Sequence, residues 1–235
     1  MAKFNTNGNA YTIIYASVMV IIVAFLLAFV SSALKPTQDA NVAIDKKSQI
    51  LASLNIRGIE TVNVETKYAE IVTSDPVYGA SLEVANENGG FEVGTKDIKA
   101  DNRPLYVCVV DGATKYVVPV KGAGLWGGIS GYSALNDDCE TVFGTYFTHE
   151  SETAGLGARI TEEWFQTSFN GKKVYAENNF DKIALSVVKK GKQGTLAPEN
   201  YVDGVTGATL TCDGVNKMIQ DGLALYMDIL KSLKK

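Results

Sequence analysis

Residues 4–34 contain no charged side chain. Within them, Tyr11–Leu34 reads YTIIYASVMVIIVAFLLAFVSSAL. As a helix this stretch spans about 36 Å, enough for a hydrocarbon core of roughly 30 Å. Its β-branched residues do not forbid a helix, because lipid forces every backbone group to pair inside the segment. Tyr11 and Tyr15 sit where interfacial aromatics usually sit. Ser31-Ser32-Ala33 would pass as a cleavage site, but a signal-peptide core has about 7–15 apolar residues and this one is longer. The expectation is a retained single span. With no charge inside, it serves as an anchor rather than an ion path. Small residues at Ala16, Ser17, Ala24 and Ala28 suit contacts with partner helices.

The rest of the chain is acidic. Of 22 Lys+Arg and 26 Asp+Glu, residues 1–35 hold only Lys3 and Lys35, so residues 36–235 carry a net charge of -6. An acidic body with one histidine excludes a protein that grips nucleic-acid phosphate over a broad face. Cys108, Cys139 and Cys212 lie far apart with no CxxC spacing, and His149 is the only histidine. That excludes an ordinary zinc site and an iron–sulfur cluster held by this chain alone; no metal ligands are assigned. Buried, inert thiols are the simplest reading of the three cysteines. The lysine count around the span, with Lys3 before it and Lys35, Lys46 and Lys47 after it, does not by itself place the body outside the cell.

The organisation divides into an N-terminal segment with the span (1–35), a juxtamembrane helix or connector (36–58), and one α+β domain (59–235). Lys35-Pro36 marks the membrane exit, and the apolar spacing over 37–54 predicts a helix ending near Gly58. From 59 to 150 the pattern turns to strands. Leu82–Val84 and Phe91–Val93 flank Asn88-Gly89-Gly90, and Leu105–Val110 and Lys115–Val120 flank Asp111-Gly112-Ala113; both predict hairpins. Ile129–Leu135, Thr141–Thr148 and Ile183–Val188 are further strands, the last of them the final one. Thr161-Glu162-Glu163 predicts a helix start, with Trp164, Phe165 and Phe169 on its apolar face. From near Cys212–Asp213 the tail is an amphipathic helix with Val215, Met218, Ile219, Leu223, Tyr226, Ile229, Leu230 and Leu233 on one side. Lys231, Lys234 and Lys235 suit its negative pole.

Three segments are rich in glycine and small polar residues: 121–128, 149–157 and 203–211. In the third, small residues let a backbone approach a ligand closely, and the helix that follows would turn its free N–H groups toward Thr206–Thr211. That is a seat for an anionic group held on a threonine; a plain loop with a threonine cap explains the same residues equally well. In the other two segments, Leu125, Trp126 and Leu156 can cover a planar ligand, while Glu152 and Thr153 can bond its polar edge. Core packing of Trp126 and a solvated loop at Glu152 are the simpler readings of each residue taken singly.

Asp203-Gly-Val-Thr206-Gly207-Ala208-Thr209 resembles the flavinylation motif Asp-x-x-(Ser/Thr)-Gly-Ala-Thr. The Gly-Leu-Trp segment and the Glu-Thr-Ala-Gly-Leu-Gly loop resemble the rest of the FMN-binding domain, with Ala154 where proline is more usual. The order of span, helix, motifs and terminal helix over almost the whole chain is similar to the NqrC family, the C-type subunits of sodium-translocating NADH:quinone reductases. The G-type subunits of the related Rnf complexes share the domain and motif. The resemblance implies a single N-terminal transmembrane helix followed by one α+β FMN-binding domain. It implies FMN attached through its phosphate to Thr209 by a separate Mg²⁺-dependent flavin transferase that uses FAD. Thr206, Gly207, Ala208, Thr211 and Asp203 would shape the motif. Leu125, Trp126, Glu152, Thr153, Gly155, Leu156 and Gly157 would line the flavin, with Lys189 near its edge. The implied setting is a bacterial inner membrane, with the amino terminus cytoplasmic and the domain periplasmic, among other subunits of a redox complex that pumps Na⁺.

By this reading the chain relays electrons and is not a catalyst alone. It has no GxGxxG strand–helix signature for NADH. Three alternatives remain: a G-type subunit of an Rnf complex, an anchored module that holds FMN without a covalent bond, and a threonine hydrolase. The hydrolase lacks a base beside its hydroxyl, since His149 lies in a different segment from Thr209.

Overall fold

A computed structural model describes residues 8–177 and 179–234; Lys3, a charge before the span, and Lys235, at the pole of the last helix, lie outside them. The chain divides into two compact units, residues 1–45 and 46–235.

Within the first unit runs most of α1 (Asn9–Ser53), whose apolar stretch is long enough to cross a membrane. Lys35-Pro36, read from sequence as the membrane exit, lies inside this helix, so the apolar stretch and the helix expected over 37–54 are one continuous element. Proline deletes one ladder bond, but good helix formers on both sides, Ala33-Leu34-Lys35 before it and Gln38 and Ala40 after it, carry the helix through.

The second unit continues through α2 (Val64–Ile71), then β1 (Val72–Ser74), β2 (Val77–Tyr78), β3 (Val84–Asn86) and β4 (Arg103–Pro104). Next come β5 (Tyr106–Val110), β6 (Ala113–Ala123), β7 (Gly128–Asn136) and β8 (Val142–His149), followed by α3 (Glu163–Thr167). The last elements are β9 (Tyr175–Ala176), β10 (Asn179–Ile183), β11 (Ser186–Val188), β12 (Tyr201–Asp203) and α4 (Thr209–Leu233). Among the described residues the main sheet has five antiparallel strands in the order β1-β5-β6-β7-β8. The β5–β6 hairpin closes through Asp111 (φ 51°) and Gly112 (φ 77°), the left-handed pair that a tight two-residue turn needs.

α4 lies across β6 and β11 and buries Val215, Met218, Ile219, Leu223, Tyr226, Ile229 and Leu230, as its spacing predicts. They join Val118, Val120, Ile129, Phe147, Phe165 and Phe169 in one core. Trp164 departs from the expected apolar face of α3: it is exposed, while Phe165 and Phe169 are buried. The cysteines are free and buried, and burial pushes the Cys108 and Cys139 thiols up to about 12.

Three further sequence expectations are overturned. The hairpin around Asn88-Gly89-Gly90 does not form. Asp75 draws that segment in instead, accepting N–H bonds from Gly90 (2.8 Å) and, through its carboxylate, from Phe91 (2.7 Å). β3 then pairs with β2. The strand expected over 183–188 is two strands, β10 and β11, because Ala184 and Leu185 both turn their N–H groups to the Val174 carbonyl. β11 pairs in parallel with the unforeseen β12, setting Val188 opposite Asp203. Finally, α4 begins at Thr209 rather than near Cys212–Asp213. Thr211 and Cys212 are buried, and that tertiary burial overrides their modest helix propensity.

Candidate functional site

The three glycine-rich segments converge at the start of α4. Gly214 and Gly222 bring the helix against β6: a Cβ at Gly214 would strike the Ala123 carbonyl, and one at Gly222 would lie 2.6 Å from Val120 Cγ1. Asn216 Oδ1 accepts the Val187 N–H (2.9 Å), which ties the same helix to β11. The first turn of α4 therefore sits between the β6–β7 turn on one flank and the β11–β12 pair on the other.

Gly207, with φ 84°, turns the chain into the helix. Ala208 is the N-cap, and no side chain caps the helix among the described residues. Thr209 is its first residue and is exposed, as is Thr206. The reading of these threonines as ordinary caps therefore finds no support, and the helix start presents uncommitted N–H groups and the positive end of a 25-residue dipole.

Two cavities meet at Thr209. One, about 410 Å³, is lined by Lys189, Lys190, Gly204, Thr206, Gly207, Thr209, Cys212 and Asp213, and by the buried Val187 and Val205. The other, about 180 Å³, is lined by Leu125, Glu152, Thr153, Leu156, Gly157, Leu210 and Thr211, and by Gly207, Ala208 and Thr209. Leu125, Leu156 and Leu210 are exposed around this second cavity. Neither Lys189 nor Lys190 forms an ion pair among the described residues.

Glu152 is the buried charge of the site, 7% exposed. Oε1 accepts the Trp126 backbone N–H at 2.8 Å, and Oε2 accepts the Thr211 hydroxyl at 2.6 Å. A Cβ at Gly124 or Gly157 would collide with the carboxylate. Burial pushes its pKa up, but the Thr211 hydroxyl and the Trp126 and Leu125 amides together outweigh that and hold it below the usual carboxylate range. Its neighbours brace the same loops. Ser151 Oγ donates to the Trp126 carbonyl (2.8 Å), and the Gly128 N–H donates to the Glu150 carboxylate (3.1 Å). Cys212 Sγ accepts the Val205 N–H at 3.1 Å and steadies the loop before Thr206; burial raises this thiol's pKa, which makes it a poor nucleophile.

Of the residues singled out from sequence, Leu125, Glu152, Thr153, Leu156, Gly157, Thr206, Gly207, Ala208, Thr209, Thr211 and Lys189 line one cavity or the other. Trp126 is 66% exposed and meets the site through its backbone rather than its ring. Gly155 (φ 76°) shapes a turn, and Asp203 lies in β12; neither lines either of these two cavities. Lys190, Leu210 and Asp213 are lining residues that sequence reasoning missed. Leu210 left a readable signal, an apolar side chain set off the buried stripe of α4.

These residues fit a phosphate-bearing planar group. The uncapped helix start and two unpaired lysines suit the anion, and the exposed leucines suit a ring.

Residues 124–224 match the FMN-binding domain family. The chain is 31% identical to NqrC, the C-type subunit of the Na(+)-translocating NADH-quinone reductase, from Haemophilus ducreyi over 237 residues, covering 92% of this chain and 90% of that one. The crystal structure of the same subunit from Parabacteroides distasonis matches at TM-score 0.77 and 36% identity, over 84% of this chain and 96% of that chain. NqrC of Shewanella oneidensis shares the fold at TM-score 0.69 and 21% identity, over 82% of this chain and 99% of that one. With the α+β fold and the converging motif segments, these matches make the chain a member of the NqrC family of Na(+)-translocating NADH-quinone reductase subunits, built on an FMN-binding domain.

Proposed function

We propose that this chain is an electron-carrying subunit of a membrane Na⁺-translocating NADH:quinone reductase, with FMN joined by a phosphodiester to Thr209. The observation that carries this reading is the placement of Thr209: an exposed hydroxyl on the first residue of an uncapped 25-residue helix, shared by two cavities. A phosphate there gains from the helix dipole and the free N–H groups. Lys189, Lys190 and Thr206 would offset and bond the anion on one flank. Leu125 and Leu156, with Thr153 and Gly157 beside them, would hold the ring on the other.

When bound, FMN supplies the one-electron chemistry. The chain positions it, keeps it from leaving and sets the polarity around it. The Thr209 hydroxyl is hydrogen-bonded to no base among the described residues and so is not activated within the chain; the bond needs a separate flavin transferase, with Mg²⁺ and FAD as donor. In that reaction Thr209 Oγ forms the new P–O bond, the phosphoanhydride bond of FAD breaks, AMP leaves, and the hydroxyl proton passes to the transferase. The apolar part of α1 would anchor the chain in a bacterial inner membrane, with the amino terminus cytoplasmic and residues 59–235 periplasmic beside partner subunits.

Intact mass of the chain, expressed with and without an active flavin transferase, tests this. The expected gain is FMN minus water, mapped to the peptide that contains Thr209 and lost in Thr209→Ala. No gain in the presence of an active transferase would leave an anchored, non-covalent module as the better description.

A further inference from the structure

We infer that Glu152 is the positioning residue for flavin attachment: through Thr211 it locks the first turn of α4 to the β6–β7 turn, and so sets the direction of the Thr209 hydroxyl. The inference rests on the reading of Thr209 as the attachment point. Sequence alone placed Glu152 among the groups that would touch the flavin. In the structure both carboxylate oxygens are already engaged, one by the Trp126 N–H (2.8 Å) and one by the Thr211 hydroxyl (2.6 Å). The side chain is buried, and the backbone packs so closely around it that a Cβ at Gly124 or Gly157 would displace the carboxylate. One carboxylate thus joins the three glycine-rich segments: it belongs to the second, holds the backbone of the first, and holds a side chain of the third.

The geometry explains why Thr211 matters although its hydroxyl is unavailable to a ligand. Thr209 is exposed, and its own hydroxyl makes no hydrogen bond among the described residues. Two residues further along the same helical turn, Thr211 is the nearest point at which the helix start is fixed by a buried side-chain bond. If that bond is lost, the first turn frays as uncapped helix ends do, and Thr209 samples many orientations instead of one. The requirement is for hydrogen-bond geometry, not for charge. A glutamine at 152 can accept from Trp126 with its oxygen and donate to the Thr211 oxygen with its amide.

The full-length chain in detergent, incubated with flavin transferase, Mg²⁺ and FAD, gives the test as a rate of covalent flavin incorporation. Glu152→Ala and Thr211→Val should each slow incorporation about tenfold or more, on the scale of a buried charge-assisted hydrogen bond. Both should still reach a full end point, because a misfolded fraction lowers the end point while a mispositioned hydroxyl lowers the rate. Glu152→Gln and Thr211→Ser should stay within about threefold of the parent chain, since both keep the bond. The Glu152→Ala/Thr211→Val double variant should be no slower than the slower single variant, because both break one link. The inference is overturned if Glu152→Gln is as slow as Glu152→Ala, or if the two single losses multiply. It is also overturned if Glu152→Ala incorporates flavin at the parent rate. Failure of the parent chain itself to take up flavin would instead remove the reading of Thr209, so the two failures are distinguishable.

Discussion

Gly157 has no room for a side chain. A Cβ there would lie 2.5 Å from both Glu152 Oε2 and Thr211 Oγ1. Gly157→Ala is therefore expected to cost about 1–3 kcal/mol by overpacking and to slow flavin incorporation as well, read by urea unfolding and by intact mass. Gly155 provides the contrast. It adopts φ 76° with open space around its Cβ position, so Gly155→Ala should cost about 1 kcal/mol through backbone strain alone and leave incorporation near the parent level. Glu152 also gives the unit an acid dependence. Its folded pKa is depressed, so its contribution to stability is present above its unfolded pKa and is lost as the pH falls through the lower folded value. Urea midpoints measured between about pH 6 and pH 3 should fall less steeply in Glu152→Gln than in the parent chain. Equal slopes would show that Glu152 does not titrate with folding.

At the scale of elements, the contact of α4 with the sheet decides where the helix begins and what it carries to the site. In an exposed helix, Gly→Ala stabilises by about 1 kcal/mol. At Gly222 the sign should reverse, because the added Cβ would press on Val120 Cγ1 at 2.6 Å, and a net loss of about 1–3 kcal/mol in thermal or urea unfolding is the expected result. Much of this layer is legible from sequence. The Asp111-Gly112 hairpin follows from turn chemistry, and the buried stripe of α4 follows from its period. The turn signal at Asn88-Gly89-Gly90 is equally strong, yet it misleads, because Asp75, more than ten residues upstream, captures the segment. The parallel β11–β12 pair is illegible, since each strand has three residues, too few to show a period.

Across the whole chain, residues 46–235 form a compact unit of their own. Expressed without residues 1–45, they are expected to remain folded, unfold with the same midpoint as in the full chain, and accept flavin at Thr209; a lower midpoint would show that residues 1–45 contribute to that unit's stability. The apolar part of α1 makes a separate prediction. An arginine in the centre of the stretch, as in Val23→Arg, should weaken membrane insertion by about 2.5–3.5 kcal/mol. Carbonate extraction of membranes would read it as a shift of the chain into the soluble fraction.

What the amino-acid order determined without help was local: the uncharged run that suits a membrane, the turn at Asp111-Gly112, the stripe of α4, and the small-residue segments around Thr209. Each depends on neighbours within a turn or two of chain, where spacing and backbone preference act directly. The tertiary structure alone decided that α4 starts at Thr209, that Lys190 stands beside Lys189 at the same cavity, and that Thr211 is committed to Glu152. Those outcomes rest on partners far apart in the chain: Trp126 and Thr211 lie 26 and 59 residues from the carboxylate they share. A buried charge is tolerated only where such donors meet it, and no local pattern along the chain records that they do.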